Sequence, residues 1–200
     1  MSGSNSRRGM GGRDVITVGI FSAIYFAINF AFMLLGGLHP LLWILMPGFI
    51  ALFTGIPYLM MCASAEGGFS PADGPYHRLI YFVTGQFTPV ILVSFVIACG
   101  LGELVRGCTH YTSIRGNLVS FVLFSLGMVG SPLPIWLMRE DFLRQITEQG
   151  MPADYVNTLA ALSSSSMLVV LFLAPVVGAI IGGILARAMF RKHFEKAGLV

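Results

Sequence analysis

The sequence predicts an all-α integral membrane protein with six transmembrane helices and both termini in the cytoplasm. Of its 200 residues, 56% are hydrophobic and 10% are charged, and the mean hydropathy is +0.81. This composition is typical of a membrane protein. We expect a single membrane domain over residues 14–192, between a disordered cytoplasmic tail over 1–13 and a second cytoplasmic tail over 193–200.

The first predicted helix runs from Val15 to Leu35 and contains no charged residue. At 1.5 Å per residue it spans about 30 Å, the thickness of the hydrocarbon core of a bilayer. Gly19, Ala23 and Ala27 recur every four residues along it, and such a stripe of small residues lets another helix approach closely. That helix belongs either to a partner protein or to this chain, and the spacing leaves both open.

The opposite face of this helix carries Tyr25 and Asn29, which are also four residues apart. In a membrane such polar groups must find partners inside the protein. They either line a binding cavity or make hydrogen bonds between helices.

Five further helices are predicted from apolar segments and the turn residues between them. They cover residues 41–62, 68–86, 89–106, 117–137 and 167–189. Kinks are expected at Pro47 and Pro57 in the first of these, and a bend near Pro132 and Pro134 in the fourth. Because Gly74 and Pro75 interrupt the helix over 68–86, a broken or re-entrant helix is its alternative. Residues 138–162 form the longest loop, in which a charged, weakly amphipathic stretch precedes a short helical pattern. The last helix carries a second ladder of small residues, Ala174, Gly178, Gly182 and Ala186.

The distribution of positive charge tests this topology. Ten of the twelve lysines and arginines fall on the predicted inner side: Arg7, Arg8, Arg13, Arg78, Arg106, Arg115, Arg187, Arg191, Lys192 and Lys196. Only Arg139 and Arg144 fall outside. Cytoplasmic loops of membrane proteins carry such an excess, so the count favours six crossings over five.

Several functional classes lack support in the sequence. It contains no phosphate-binding G-x-x-x-x-G-K-[ST], no HExxH and no GxSxG. Cys62, Cys99 and Cys108 have no metal-site spacing. Glu103 is the only acid near a helix interior, and we expect an i,i+3 ion pair with Arg106 at a helix end. We therefore expect no enzyme, metal or cofactor, and nothing indicates nucleic-acid binding.

Polar and aromatic residues gather at the predicted outer helix ends and form a candidate pocket for a small molecule. The candidate ligand residues are Asn29, His39, Trp43, Gln86, Trp136, Arg139 and Asp141. Alternatively, the two tryptophans belong to the aromatic belt at the membrane interface, and Arg139, Glu140 and Asp141 form a solvated loop. His39 beside Pro40 is a turn residue, a ligand contact or a metal ligand, and the last role is disfavoured because the histidine stands alone.

Many short stretches of the chain, in order, resemble one known family. They are DVITVGIFSAIYFAINF, LGGLHPLLWILMPGFIALFTGIPYLM, FVTGQFTPV, GLGELVR, NLVSFVLFSLGMVGSPLPIW, GMPADYV and KHFEKAGLV. The family is the Trep_Strep group of bacterial integral membrane proteins, which are classed as substrate-binding (S) components of energy-coupling factor (ECF) transporters. The likeness leaves out residues 1–12 and about 64–78.

The resemblance implies a six-helix, multi-pass protein of the bacterial plasma membrane that captures a micronutrient from outside. It implies that the partners are a transmembrane coupling subunit and two ATPases. It also implies docking through an A-x-x-x-A motif, which Ala23 and Ala27 match and which lies on the same stripe as Gly19. A stand-alone solute carrier or channel is the alternative. Family members carry an apolar third helix where this chain has SAEGGFSPADGPYHR, so the course of that helix stays open.

Overall fold

The computed structural model describes residues 12–64, 89–111 and 113–189. The helices, in chain order, are α1 (Gly12–Gly36), α2 (Pro40–Phe53), α3 (Gly55–Ser64), α4 (Pro89–Cys108), α5 (Ile114–Leu126), α6 (Pro134–Leu137), α7 (Arg139–Glu148), α8 (Ala153–Leu162) and α9 (Ser165–Met189). A 3-10 segment, Gly127–Gly130, follows α5. No strand occurs among the described residues, and the predicted all-α class is confirmed.

Three of these helices are long and apolar enough to cross a membrane, namely the segments Ile16–Gly36, Pro89–Cys108 and Ser165–Met189. Helices α2 and α3 make a fourth candidate span if they are counted together. The helix predicted over 68–86 lies outside the described residues, as do most of both predicted tails. The six crossings and the orientation of the termini therefore stay predictions.

The second predicted helix is broken at Thr54, between the two prolines expected to kink it. The axes of α2 and α3 differ by 47° at this point. Pro47 lies within α2 without breaking it. Pro57 has no N–H to donate to the carbonyl of Phe53, so the helix that ends at Phe53 cannot continue regularly through it. Thr54 Oγ1 donates to the Ile50 carbonyl at 2.8 Å, a bond that also bends helices.

The helix predicted over 117–137 is shorter than expected. It begins at Ile114, where Ser113 caps it by accepting a hydrogen bond from the Gly116 amide at 3.2 Å. It ends at Leu126, and the chain tightens into the 3-10 segment before Pro132. The predicted single bent helix is instead α5, the 3-10 segment and α6 in succession. Pro132 and Pro134 cannot donate to the carbonyls of Met128 and Gly130, so a regular α-helix does not continue through this segment.

The predicted loop over 138–162 contains two helices, α7 and α8, which we call the outer cap after the side on which the charge pattern places it. Helix α7 is amphipathic: Phe142 and Ile146, four residues apart, are buried, whereas its charged residues face away. The helices α7 and α8 also contact each other, and α8 packs against α2. The cap thereby covers one end of the bundle.

The bundle is held together along α2 and α9, whose backbones approach closely at glycines. A Cβ added at Gly182 would lie 2.7 Å from the Ala51 carbonyl oxygen, and one added at Gly48 would lie 2.9 Å from the Cβ of Ala174. A Cβ at Gly178 would overlap the Gly48 carbonyl oxygen. The second ladder of small residues is therefore a contact inside this protein, of the kind that drives helix association in lipid.

Candidate functional site

The two faces of α1 have different surroundings. Tyr25 is 1% exposed and Asn29 is 7% exposed, whereas Ala23 and Ala27 are exposed. No described atom lies within 4 Å of the Cβ that an alanine at position 19 would add. In the part of the chain that the structure describes, the predicted docking stripe is left uncovered by the protein's own helices.

The polar face of α1 is satisfied within the bundle. The Asn29 side-chain amide donates to the Tyr25 carbonyl at 3.3 Å, and the Tyr25 side chain shares hydrogen bonds with the side chains of Asn29 and Thr54. Thr54 is fully buried at the break between α2 and α3. Asn29 thus belongs to a polar network in the core that links α1 to this break.

Trp43 lies under the outer cap. Its ring stacks on that of Phe142, with centroids 5.6 Å apart and an interplanar angle of 16°. It is only 6% exposed and joins a cluster of buried apolar residues that includes Leu159 of α8 and Leu171 of α9. The aromatic-belt interpretation of Trp43 is therefore wrong for this structure, because a belt residue faces the lipid interface.

Three side chains fasten the cap to the bundle and its own helices together. The Tyr155 hydroxyl donates to the Gly36 carbonyl at 2.8 Å, which connects α8 to the end of α1. Burial raises the pKa of Tyr155 to about 12, so its hydroxyl stays protonated at neutral pH and remains a donor. The Trp136 indole N–H donates to the Ser164 carbonyl at 3.0 Å, and the Arg139 guanidinium donates to the Ala160 carbonyl at 2.6 Å.

The remaining predicted ligand residues lie at the exposed rim. His39 caps α2, since its Nδ1 accepts a hydrogen bond from the Leu41 amide at 3.1 Å. Asp141 pairs with Arg144 at 2.6 Å, and both side chains are about 70% exposed. Such exposed pairs add little stability. Gln86 lies outside the described residues.

The structure brings together part of the predicted set. Trp43 and Trp136 pack in the same apolar cluster, and Arg139 reaches across the cap beside it. Asn29 belongs to the separate network in the core, and His39 and Asp141 point to solvent. Phe142 and Tyr155 were missed, because their roles come from contacts with residues about a hundred positions away along the chain.

An apolar groove on the surface of the bundle lies away from all of these residues. It has a volume of about 390 Å³ and is lined by Leu52, Phe53 and Ile56 on one side and by Gly182, Leu185, Ala188 and Met189 on the other. No predicted ligand residue belongs to it. Among the described residues, no three His, Cys, Asp or Glu side chains come together as a metal site would require.

A second polar cluster lies at the opposite end of the bundle from the cap. The predicted ion pair is confirmed, with 3.6 Å between Glu103 Oε2 and an Arg106 guanidinium nitrogen. The pair lies in the last turns of α4, as predicted. Arg106 is in addition fully buried, and its guanidinium also donates to the Cys62 carbonyl at 3.4 Å. Nearby, the Tyr58 and Ser120 hydroxyls share a hydrogen bond of 2.8 Å.

The chain was compared with models of protein families. The model of the Trep_Strep family, described as a hypothetical bacterial integral membrane protein, matches residues 12–196. The chain belongs to the Trep_Strep family. Neither the curated proteins nor the solved structures contain a match to it. A membrane location follows from the family and from the apolar helices together.

Proposed function

We propose that this Trep_Strep protein is the substrate-binding S component of an ECF-type importer in the bacterial plasma membrane. In this role it binds a small organic micronutrient on the outside, without chemistry, and docks on a coupling subunit that works with two ATPases. The observation that carries the proposal is α1, whose small residues face outward while its polar residues face the core.

The outward stripe supports docking because small residues create a surface on which a partner helix can lie close. Gly19, Ala23 and Ala27 present little more than backbone at the helix surface. A partner helix can pack more closely against such a surface than lipid tails can, and therefore gains more van der Waals contact. The exposed positions on α9 differ in kind: Val177, Ile181 and others are large and branched, as is typical of a lipid-facing surface.

The ligand site is proposed at the outer end, under the cap. Trp43 and Trp136 supply apolar contact area there, and Arg139 supplies a cationic group at the edge of the same cluster. His39, Asp141 and Gln86 complete the proposed rim, and Asn29 supports it from the core. Two of the hydrogen bonds that hold the cap lie at exposed positions, whereas Phe142, Ile146 and Leu159 are buried in the cluster beneath it. A ligand that enters this site therefore has to replace those apolar contacts as the cap moves.

Co-purification tests this function. The tagged protein is expressed in its native bacterium, extracted in mild detergent and analysed for bound proteins. We expect the wild-type chain to retain a coupling subunit and ATPases, and the variant Ala23→Trp with Ala27→Trp to lose them, because two indoles prevent close approach of another helix.

Val177→Trp with Ile181→Trp is the matched control, since it places two indoles at the same spacing on exposed positions of α9. Retention of the partners by the α1 variant, or equal loss from both variants, would contradict docking through this stripe. A wild-type chain that carries no partners, but takes up solute when reconstituted alone in liposomes, would establish the stand-alone carrier instead.

A further inference from the structure

The turn between α4 and α5 has an unusual backbone. His110 and Tyr111 have φ angles of 56° and 62°, so two consecutive residues with side chains adopt the left-handed conformation. Glycine adopts it readily, but a side chain makes it unfavourable, and two in succession are uncommon. Such strain persists only where surrounding contacts over-determine it, and it often marks a switch.

The strained turn places Tyr111 against the end of α4. The Tyr111 amide donates to the Arg106 carbonyl at 3.0 Å, and the Tyr111 hydroxyl donates to Glu103 Oε1 at 2.8 Å. The Arg106 guanidinium carbon lies 5.2 Å from the centroid of the Tyr111 ring, within the range of a cation–π interaction. One aromatic side chain therefore contacts both members of the ion pair.

Arg106 extends this contact to a second helix, because its guanidinium reaches the carbonyl of Cys62 near the end of α3. We call Glu103, Arg106, Tyr111 and the Cys62 carbonyl the inner latch. It joins α3, α4 and the strained turn at one end of the bundle. Along the chain these groups lie up to 49 positions apart, between Cys62 and Tyr111.

The closed latch contains interactions that stabilise it and features that destabilise it. The ion-pair distance of 3.6 Å is longer than a hydrogen bond, the guanidinium is withdrawn from water, and the turn is strained. Against these stand the Tyr111 hydroxyl bond and the ring contact, which are lost together if the turn relaxes. A long arginine side chain at a helix end can move its charge to water once it is released. The same residues can therefore adopt two arrangements, the closed latch and an open form in which Arg106 is released.

We propose that the inner latch is a conformational switch that holds the end of α3 against α4. It opens when His110 and Tyr111 return to ordinary backbone conformations, which moves the Tyr111 ring off Arg106 and frees the Cys62 carbonyl. Any ligand or partner that binds one arrangement better shifts the equilibrium. The inference does not depend on the proposed function, since it concerns only this end of the bundle.

Cys62 is a built-in reporter of the latch because its side chain is fully buried in the closed arrangement. In a chain with Cys99→Ala and Cys108→Ser, it is the only remaining thiol. The rate of its modification by a membrane-permeant maleimide is measured with the protein in lipid nanodiscs. Tyr111→Gly removes the ring, the hydroxyl and the strain at position 111, and we expect about a tenfold faster modification. Tyr111→Phe removes only the hydroxyl bond, and we expect a smaller increase.

Tyr155→Phe is the matched control, since it deletes the corresponding hydroxyl from the outer cap and is expected to leave the rate for Cys62 unchanged. Both tryptophans of the chain lie in the cap cluster, so their fluorescence reports the other end of the bundle. A faster rate in Tyr111→Gly with unchanged fluorescence supports the latch. An unchanged rate overturns it, and so does a faster rate with altered fluorescence, because Tyr111 would then stabilise the whole fold rather than a switch.

Discussion

Two helices of this protein carry ladders of small residues with the same spacing, and the structure gives them opposite surroundings. On α1, Ala23 and Ala27 are exposed, and no described atom outside α1 lies within 4 Å of a Cβ at position 19. On α9, Gly178 and Gly182 are buried against the backbone of α2. The comparison teaches that a small residue every fourth position indicates that two backbones can approach, but does not indicate which helix approaches.

The two ladders should differ most in how a large inserted side chain changes the free energy of unfolding. Gly182→Leu forces a branched side chain against the carbonyls of Ala51 and Leu52, and we expect it to lower the free energy of unfolding by about 3 kcal/mol or more. Gly19→Leu enters open space and should cause no loss of stability. Unfolding in mixed micelles, followed by tryptophan fluorescence, measures both. Similar losses in the two variants would mean that α1 is covered after all.

A single methyl group gives a finer comparison. Gly178→Ala places a Cβ on the Gly48 carbonyl oxygen, so we expect it to lower the free energy of unfolding by about 1–3 kcal/mol. Gly19→Ala meets no described atom within 4 Å and improves helix propensity, so we expect a gain of up to about 1 kcal/mol. The same unfolding assay should therefore find opposite signs. If both variants were less stable than the wild type, or both more stable, the two ladders would not differ in their surroundings as described.

Lipid-phase labelling tests the comparison with almost no expected effect on stability. In a cysteine-free chain, Ala27→Cys should react with a lipid-soluble maleimide, whereas Ala186→Cys, which is fully buried on α9, should not. Addition of the coupling subunit should then suppress the reaction of Ala27→Cys, because the proposed partner covers it. Continued reaction in a complex that demonstrably contains the subunit would place docking on another surface.

The charge and hydropathy of the chain were enough to predict an all-helical membrane protein, and the i,i+3 spacing was enough to predict the pair of Glu103 and Arg106. Both depend on local sequence: a helix needs an apolar segment of sufficient length, and residues three apart share a helix face. The kinks in this segment were expected at Pro47 and Pro57, whereas the helix is broken at Thr54, three residues before Pro57. A proline disrupts the bond to a residue four positions earlier, so its effect appears ahead of it in the chain.

The candidate sites were harder to predict because they depend on contacts between distant parts of the chain. Nothing near Trp43 indicates that Phe142 will stack on it, and nothing near Arg106 indicates that the α4–α5 turn will bring Tyr111 onto its guanidinium. A loop with a weakly amphipathic stretch and a short helical pattern was expected over residues 138–162, where α7 and α8 form the outer cap. Their amphipathic pattern is short, and it gains a buried side only because α8 packs against α2 and α7 packs against α6 and α8.

The amino-acid sequence alone is enough to predict a helical membrane protein in which α1 has one smooth and one polar face, and in which α1 and α9 can each support a close helix contact. These properties follow from composition and from the helical repeat. Three further properties depend on the packing of the helices: the small residues of α9 contact α2, Asn29 joins Tyr25 and Thr54 in the core, and Arg106 is buried. Those outcomes depend on which surfaces meet, since each helix can satisfy its close contacts with more than one neighbour.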